Sequence, residues 1–141
     1  MLNSDCAEDS AHYSKTPDSG CDSMKIAVAQ IACSLGDPEV NLSKVREFSR
    51  RAKEAGAELI AFPEMTDTGY SMPVIQKHAS HWKAGFVPGL SEIAEELSVA
   101  IVSGTSERDG SSIYNSQVLV DAKGDIVAKY RKTHLYAVAP V

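Results

Sequence analysis

Two short apolar runs flank one amphipathic helix between residues 26 and 62, and this order constrains the fold more than any other feature of the chain. The first run covers residues 26–32, and the second covers residues 59–62, where it reads Leu-Ile-Ala-Phe. Short continuous apolar runs are typical of strands in parallel sheets that are covered by helices. We therefore predict a β-α-β unit whose first strand is buried on both faces.

The helix between the two runs carries a signal at each end. Asp37 followed by Pro38 predicts an N-cap and a proline at the first helical position. Gly56 stands where a left-handed residue commonly ends a helix. Apolar residues recur at helical spacing on one side, at Val45, Phe48, Ala52 and Ala55. The pattern predicts a helix from residue 38 to about residue 55 that packs on the sheet through this side.

The second half of the chain predicts a different connectivity. Residues 63–88 form a long connection that we expect to be structured, with a helical piece near residues 73–82. A second amphipathic helix is expected around residues 90–97. The residues from Asp121 to Gly124 have the turn chemistry of a hairpin. Three further strands are expected at residues 99–104, 113–120 and 126–132, so the α/β units of the first half should give way to an antiparallel meander. The whole pattern is that of an α/β layered sandwich.

Residues 1–23 differ in composition from the rest of the chain. They contain five acidic residues, one lysine and a single leucine, and they lack isoleucine, valine and phenylalanine. Such a segment cannot bury enough apolar surface to offset its ordering entropy. We therefore predict a disordered acidic tail at 1–23 and one folded domain at 24–141.

Charge and hydropathy exclude several classes of protein. The net charge is −5, and the basic residues around Arg50 alternate with Glu47 and Glu54, so no basic patch indicates binding to nucleic acid. No stretch approaches the roughly 18 apolar residues of a membrane span. The N-terminus also lacks the order of a signal peptide. Three cysteines without metal-type spacing are typical of reduced thiols, so we expect a cytoplasmic protein.

Glu64 is the first candidate for chemistry, because it lies just beyond the second predicted strand. Functional groups in α/β sheets gather beyond the carboxyl ends of strands. Partial desolvation by Phe62 and Met65 would raise the pKa of this carboxyl, which suits a general base. The alternative is an exposed loop glutamate paired with a lysine.

Lys132 is the second candidate, at the end of the last predicted strand. Strand alternation would place Lys132 and His134 on one face, and Arg131 and Thr133 on the other. A lysine that points into a pocket can stabilise a developing oxyanion. An ordinary basic strand end is the alternative. His134 could act as a base for a cysteine, or it could hydrogen-bond the backbone beside Lys132.

Cys33 and two histidines complete the candidates. Cys33 follows the first strand and could act as a nucleophile if a neighbouring charge lowered its pKa, with His134 as its base. A small buried apolar residue is the alternative for this cysteine. His78 and His81 are a weak indication of a metal site, because they lack a carboxylate partner.

Three stretches occur in a specific order along the chain. They read KIAVAQIACSLGDPEVNLSKV at 25–45, GAELIAFPEMTDTGY at 56–70 and YNSQVLVDAKGDIVAKYRKTHLY at 114–136. Phe-Pro-Glu followed by Tyr-Arg-Lys-x-His-Leu is the most specific combination. Together they resemble the carbon–nitrogen hydrolase (nitrilase/amidase) superfamily over residues 24–141. The resemblance implies an αββα layered sandwich of the nitrilase type, truncated so that this chain is its N-terminal half.

The resemblance also implies a Glu-Lys-Cys mechanism that hydrolyses a non-peptide carbon–nitrogen bond in a small amide or nitrile. By motif, Glu64 matches the general base and Lys132 matches the lysine that stabilises the tetrahedral intermediate. Tyr70 resembles an aromatic residue near the substrate pocket. The resemblance implies no metal or organic cofactor, and it implies a homo-oligomer at full length.

The nucleophile is where the chain departs from the family pattern. The family's nucleophilic cysteine lies beyond the lysine motif, and Cys33 does not match its place. We therefore expect this chain to be inactive alone. Its last residues, 133–141, are still apolar, which suggests a domain that continues. A fragment, a truncated gene product and one half of a split protein all agree with this pattern. The alternative function is a non-catalytic half-domain that binds a partner chain.

Overall fold

The computed structural model describes residues 10–13 and 23–135, and these form a six-stranded sheet with helices. The strands are β1 (Ser10–Tyr13), β2 (Ile26–Gln30), β3 (Leu59–Ala61), β4 (Ala100–Asp109), β5 (Ser112–Val120) and β6 (Ile126–Arg131). The helices are α1 (Pro38–Glu54), α2 (Met72–His78) and α3 (Phe86–Leu97). The α/β class predicted from the sequence is confirmed.

The sheet combines parallel and antiparallel pairing in the order β1-β2-β3-β4-β5-β6. Strands β2, β3 and β4 are parallel, and Ile60 of β3 lies in register between Ala27 and Ile101. Strands β4, β5 and β6 form an antiparallel meander. The predicted change from α/β units to a meander is therefore confirmed. The parallel part brings the ends of β3 and β4 to one edge, where ligands commonly bind.

Local signals determine both ends of α1, as predicted. Asp37 is the N-cap, and its side chain accepts a hydrogen bond from the amide of Val40 at 3.1 Å. Gly56 adopts φ +80°, a conformation that glycine reaches without strain. The amide of Ala57 then donates to the carbonyl of Ala52 at 2.9 Å. These bonds satisfy backbone groups that a helix end would otherwise leave unpaired.

The hydrophobic core lies between one face of the sheet and the helices α1 and α3. Ile60 and Ile101 contribute from the sheet, and both are fully buried. Phe48 of α1 and Leu90 of α3 belong to the same cluster. Burial of a large aliphatic side chain contributes about 1.5–3 kcal/mol. This layer therefore fixes the sheet that carries the candidate site.

The prediction that the first strand is buried on both faces is wrong. Along β2 buried and exposed residues alternate: Ala27 and Ala29 are buried, but Ile26 is 43% exposed and Val28 is 56% exposed. Val28 begins an apolar row that crosses five strands in register, formed by Val28, Ala61, Val102, Leu119 and Ala128. The apolar sequence of β2 therefore supplies two faces of the sheet that differ in burial. Helices α1 and α3 cover the face that carries Ala27 and Ala29, and they do not cover the face that carries Val28.

Three boundaries also differ from the predictions. Helix α2 occupies part of the predicted helical piece, and α3 begins at Phe86, inside the predicted loop. Strand β4 continues beyond Gly104 to Asp109 because β5 pairs with it from Ile101 to Asp109, which lies opposite Ser112. These boundaries depend on pairing partners that a local pattern does not contain.

Strand β1 lies inside the segment predicted to be a disordered tail. It pairs antiparallel with β2, from Ser10 opposite Gln30 to Tyr13 opposite Ala27. The structure differs from the prediction at these four residues. Residues 1–9, 14–22 and 136–141 lie outside the described part of the chain, so the domain boundaries stay predictions. Among the described helices, none has the length and apolar character needed to cross a membrane.

Candidate active site

Glu64 is held at the sheet edge by hydrogen bonds between the segment after β3 and strand β4. The amide of Gly104 donates to the carbonyl of Pro63 at 3.1 Å. The carbonyl of the same glycine accepts from the amide of Thr66, also at 3.1 Å. These two bonds flank Glu64 along the chain, so its backbone continues the ladder for a short distance after β3 has ended.

Gly104 is required by this close approach. A Cβ atom at this position would lie 2.6 Å from the Cα atom of Glu64 and 2.7 Å from the carbonyl oxygen of Pro63. Both are backbone atoms, which cannot move aside as a flexible side chain can. A glycine therefore allows β4 to pass directly beneath the glutamate.

Asp67 fixes the turn that follows Glu64. Its side chain is almost fully buried, and Oδ2 accepts hydrogen bonds from Thr105 Oγ1 at 3.0 Å, from Ser106 N at 2.9 Å and from Ser106 Oγ at 2.5 Å. Met65 in the same turn adopts φ +53°. The buried carboxylate thus ties the turn to β4 and holds a backbone conformation that is uncommon for residues other than glycine.

Lys132 meets Glu64 from the other side of the site. It follows β6 directly, and its amide donates to the carbonyl of Asn115 at 2.8 Å. Its Nζ atom donates to Oε1 of Glu64 at 2.6 Å. The two side chains are 34% and 41% exposed, so the pair is open to solvent. The structure therefore brings the two main predicted residues into direct contact, while their catalytic roles stay predictions.

The pKa of Glu64 is lowered, and the sequence-based expectation of a raised pKa is wrong. The hydrogen bond from Lys132 is the largest cause, desolvation opposes it, and the Asn115 side chain lowers the pKa further. The pKa of Lys132 is raised, mainly by its hydrogen bond to Glu64. A cation at hydrogen-bond distance outweighs partial burial at an open site. At neutral pH the pair is therefore a carboxylate and an ammonium.

A cavity of about 370 Å³ opens beside this ion pair. Glu64, Lys132, Thr133, His134 and Asn115 belong to its lining. The prediction that side chains alternate between two faces therefore fails at Thr133, which lines the same cavity as Lys132 and His134. The reason is that β6 ends at Arg131 and the chain is no longer extended beyond it. The volume falls in the range of pockets that take small molecules.

Tyr70 lines a second cavity, of about 190 Å³, rather than the cavity beside Glu64. Its ring is about half exposed, and Met65, Met72 and Ile75 lie around the same space. The described residues that line this cavity include no acidic or basic side chain. Asn115 lines both cavities, so the two spaces adjoin.

Comparison with known proteins decides the family. The carbon–nitrogen hydrolase family model matches residues 25–141. The chain belongs to the carbon–nitrogen hydrolase family. A nitrilase from Pyrococcus abyssi is 35% identical over 120 residues, which are 80% of this chain and 44% of that protein. The human omega-amidase NIT2 is 29% identical, over 81% of this chain and 41% of its own length.

Solved structures agree with this family membership. A variant of the amidase from Nesterenkonia sp. AN1 in complex with butyramide has a TM-score of 0.75 and 28% identity, and the match covers 82% of this chain and 45% of that one. The nitrilase-type fold is therefore confirmed for the matched part. The chain spans less than half the length of these relatives. These named enzymes do not favour the alternative of a non-catalytic module that binds a partner chain.

Within this carbon–nitrogen hydrolase chain, an ion pair between a buried carboxylate, Glu107, and the partly exposed Arg131 anchors the strand that leads to Lys132. Glu107 is 1% exposed and accepts from Arg131 Nε at 2.9 Å and from Ser116 Oγ at 2.7 Å. Burial alone would raise the pKa of Glu107. The hydrogen bonds from Arg131 and Ser116 lower this pKa by more than burial raises it, so the net shift is downward. Arg131 also stacks on the ring of Tyr114. The residue before Lys132 is thus fixed to β4 and β5.

Among the remaining candidates of this family member, His134 lines the cavity beside the ion pair, whereas Cys33, His78 and His81 do not line it. Cys33 is half-buried, packs against the core and does not line the cavity that His134 lines. His134 Nδ1 lies 3.0 Å from Thr133 Oγ1. Within residues 23–135 no group of three potential metal ligands occurs, and His78 and His81 gain no acidic partner for a metal site.

Asn115, Gly104, Asp67 and Glu107 were not recognised from the sequence. Their contacts join residues that are far apart in the chain, such as Asp67 with Ser106. Asn115 did carry a signal, because asparagine is depleted in strands and lies here within a strand-forming run. An amide in such a position indicates a polar partner within the sheet edge.

Proposed function

We propose that Glu64 and Lys132 are two members of a Glu-Lys-Cys active site that hydrolyses the carbon–nitrogen bond of a small amide or nitrile. The observation that carries this proposal is the 2.6 Å contact between Lys132 Nζ and Glu64 Oε1 at the lining of a 370 Å³ cavity. The names of the relatives, a nitrilase and an omega-amidase among them, support the same class of reaction.

Glu64 acts as the general base in this proposal. It is ionised at neutral pH, as a base must be, but the hydrogen bond from Lys132 lowers its pKa and so weakens it. This conflict is resolved if Lys132 turns towards the oxyanion that develops on the substrate. The ammonium then stabilises the intermediate, and the loss of the cation raises the proton affinity of Glu64 when the base needs it.

The nucleophile in this mechanism is a cysteine thiolate. With an amide, its sulfur bonds to the substrate carbon after Glu64 takes the thiol proton, and Glu64 returns that proton to the ammonia or amine that leaves as the carbon–nitrogen bond breaks and a thioester forms. With a nitrile, the same addition places the proton on the nitrogen and gives a thioimidate; a first water then adds to its carbon and ammonia leaves, which gives the corresponding thioester. Water activated by Glu64 then hydrolyses the thioester and releases the thiol. Cys33, the cysteine within residues 23–135, does not line the cavity. Because the family resemblance places the nucleophile beyond the lysine motif, we propose that neither Cys33 nor the cysteines before it supply this thiol and that the 141-residue chain is inactive alone.

Tyr70 binds the apolar part of the substrate in this proposal. The 190 Å³ cavity that it lines adjoins the ion-pair cavity at Asn115, and its lining of methionine, isoleucine and tyrosine suits an uncharged group. A cytoplasmic setting and a homo-oligomer at full length stay predictions from the sequence and the family resemblance.

Ligand binding and turnover on this chain test the proposal separately. Butyramide at millimolar concentration should shift the backbone NMR signals of Glu64, Asn115 and Lys132, because the amide enters their cavity. The variant Glu64→Gln should alter this response, whereas Glu92→Gln, an exposed carboxylate on α3, should not. Shifts confined to other surfaces would contradict the proposed site.

An assay of the same chain on butyramide and simple nitriles should detect no ammonia release. Turnover that Glu64→Gln abolishes would contradict the inactivity of the chain but support the assignment of Glu64. Turnover that survives Glu64→Gln would contradict that assignment.

A further inference from the structure

Asn115 occupies the position where the backbone and the side chains of the site meet. It lies on β5, opposite Ser106 of β4, and is only 8% exposed. Its carbonyl accepts the backbone hydrogen bond of Lys132 at 2.8 Å. Its side chain lies in the lining shared by the two cavities. One residue therefore contacts the strand end that carries the lysine and faces the space that contains the glutamate.

The amide of Asn115 has a donor that the rest of the described structure does not use. Its Nδ2 atom is buried and has no hydrogen-bond partner among residues 23–135. A buried donor without a partner costs free energy, so such a group calls for a bond in another state of the site. Gln117, Tyr130 and His134 line the same cavity but are exposed, so water can satisfy them.

We propose that Asn115 is a positioning residue whose Nδ2 donates to the Glu64 carboxylate when Lys132 turns to the substrate. The inference rests on the proposed function in treating Glu64 as a base that exchanges partners. In the resting ion pair, Lys132 donates to Oε1 of Glu64, and Nδ2 of Asn115 lies near enough to lower the pKa of that carboxyl without forming a geometrically complete hydrogen bond. When the ammonium leaves, the amide takes its place and keeps the carboxylate aimed at the cavity.

The chemistry of the amide suits this exchange. An amide donates a hydrogen bond without a net charge, so it holds the carboxylate in place and lowers its proton affinity less than an ammonium does. The Asn115 side chain already contributes to the lowered pKa of Glu64, after the larger effect of Lys132, which agrees with an amide close to the carboxylate. A second lysine at this position would instead keep the base weak throughout.

A carboxyl titration by NMR tests the proposal on this chain without any turnover. In the Lys132→Met variant, the ammonium is permanently absent, so the amide of Asn115 should be the main donor to Glu64. Adding Asn115→Leu to that variant should raise the proton affinity of Glu64 by roughly tenfold, the effect of one hydrogen bond to a charged group. Adding Gln117→Leu, on the same strand and in the same cavity, should leave it unchanged.

A second measurement requires no Asn115 variant and covers the case in which Asn115→Leu fails to fold. In Lys132→Met, the side-chain amide signals of Asn115 should move with the same midpoint as the Glu64 carboxyl signal. Flat amide signals, or equal proton affinities with and without Asn115→Leu, would overturn the proposal. A purely structural role predicts lower stability of Asn115→Leu with no change in proton affinity. The readout here is the protonation of Glu64, whereas the proposed function is tested by amide binding. The role of Asn115 can therefore fail while amide binding still supports the hydrolase function, and the hydrolase function can fail while the role of Asn115 is supported.

Discussion

The protonation of Glu64 depends on two opposing effects, a nearby cation and partial burial. The cation dominates because Lys132 donates directly to the carboxylate, whose side chain remains 41% exposed. The lowered pKa has a consequence for stability. A carboxyl whose pKa falls on folding stabilises the folded state above its ordinary pKa of 4.5, and this contribution disappears as the pH falls through the lowered value.

Replacing Lys132 by methionine should therefore destabilise the chain in a pH-dependent way. The loss should be small, because the pair is open to solvent, and it should be present above pH 4.5. Below that pH the melting temperatures of the two proteins should converge, because the protonated Glu64 no longer pairs with the lysine. Thermal unfolding from pH 3 to 7 measures the difference.

The control for this experiment is Lys77→Met, which removes an exposed lysine of α2. It should change stability little at any of these pH values. A Lys132→Met difference that stays constant down to pH 3 would show that the lysine acts through packing rather than through the ion pair.

Residues in the site differ in how far the sequence predicted them. Glu64 and Lys132 were predicted because they lie in motifs at strand ends, where a local pattern and a family resemblance coincide. Asp67 was not, since an aspartate in a loop usually faces solvent and only the approach of β4 buries it. The raised pKa expected for Glu64 failed for a related reason: the contact with Lys132 outweighs the local apolar neighbours.

At the scale of elements, strand β4 supports the site by passing close to the end of β3. Gly104 allows this passage, because it places no side chain between the strand and the Glu64 backbone. Helix α1 could be predicted to within a residue from Asp37, Pro38 and Gly56, whose effects are local. The length of β4 could not be predicted from the sequence, because the second half of this strand is extended through its pairing with β5.

The variant Gly104→Ala should destabilise the chain by about 1–3 kcal/mol, as overpacking usually does. The added Cβ would lie 2.6 Å from the Cα atom of Glu64, so the two backbones must separate. Urea unfolding measures the loss. Amide NMR signals of Glu64 and Thr66 should also shift, because their hydrogen-bonded neighbour moves.

Gly110→Ala is the matched control for this substitution. Its Cβ would meet no atom within 4 Å, so only the strain of its φ of +59° remains. That strain costs about 1 kcal/mol. If Gly104→Ala were no more destabilising than Gly110→Ala, or left the Glu64 signals in place, the close approach would not be the reason for this glycine.

At the scale of the whole molecule, the sheet has two faces of different character. One face packs against α1 and α3, while the other carries the apolar row from Val28 to Ala128. The sequence alone did not distinguish the faces, since both are apolar along β2. Apolar rows on an exposed face promote association.

Two neighbouring residues of β5 test this difference between the faces. Leu119 is half-buried on the open face, and Val118 is 1% exposed on the helix-covered face. Leu119→Lys should reduce self-association in sedimentation experiments at little cost in stability. Val118→Lys should lower the free energy of unfolding by roughly 3 kcal/mol or more, because it buries an unpaired charge. Equal losses for both variants would contradict an open face.

The proposed active site depends most on the direct contact between the carboxylate of Glu64 and the ammonium of Lys132. A carbon-13 NMR titration of the Glu64 side-chain carboxyl in the wild-type chain and in Lys132→Met tests it most directly. If the contact exists, the midpoint should lie below 4.5 in the wild type and should rise when the lysine is removed. An ordinary midpoint in the wild type, unchanged by Lys132→Met, would contradict it.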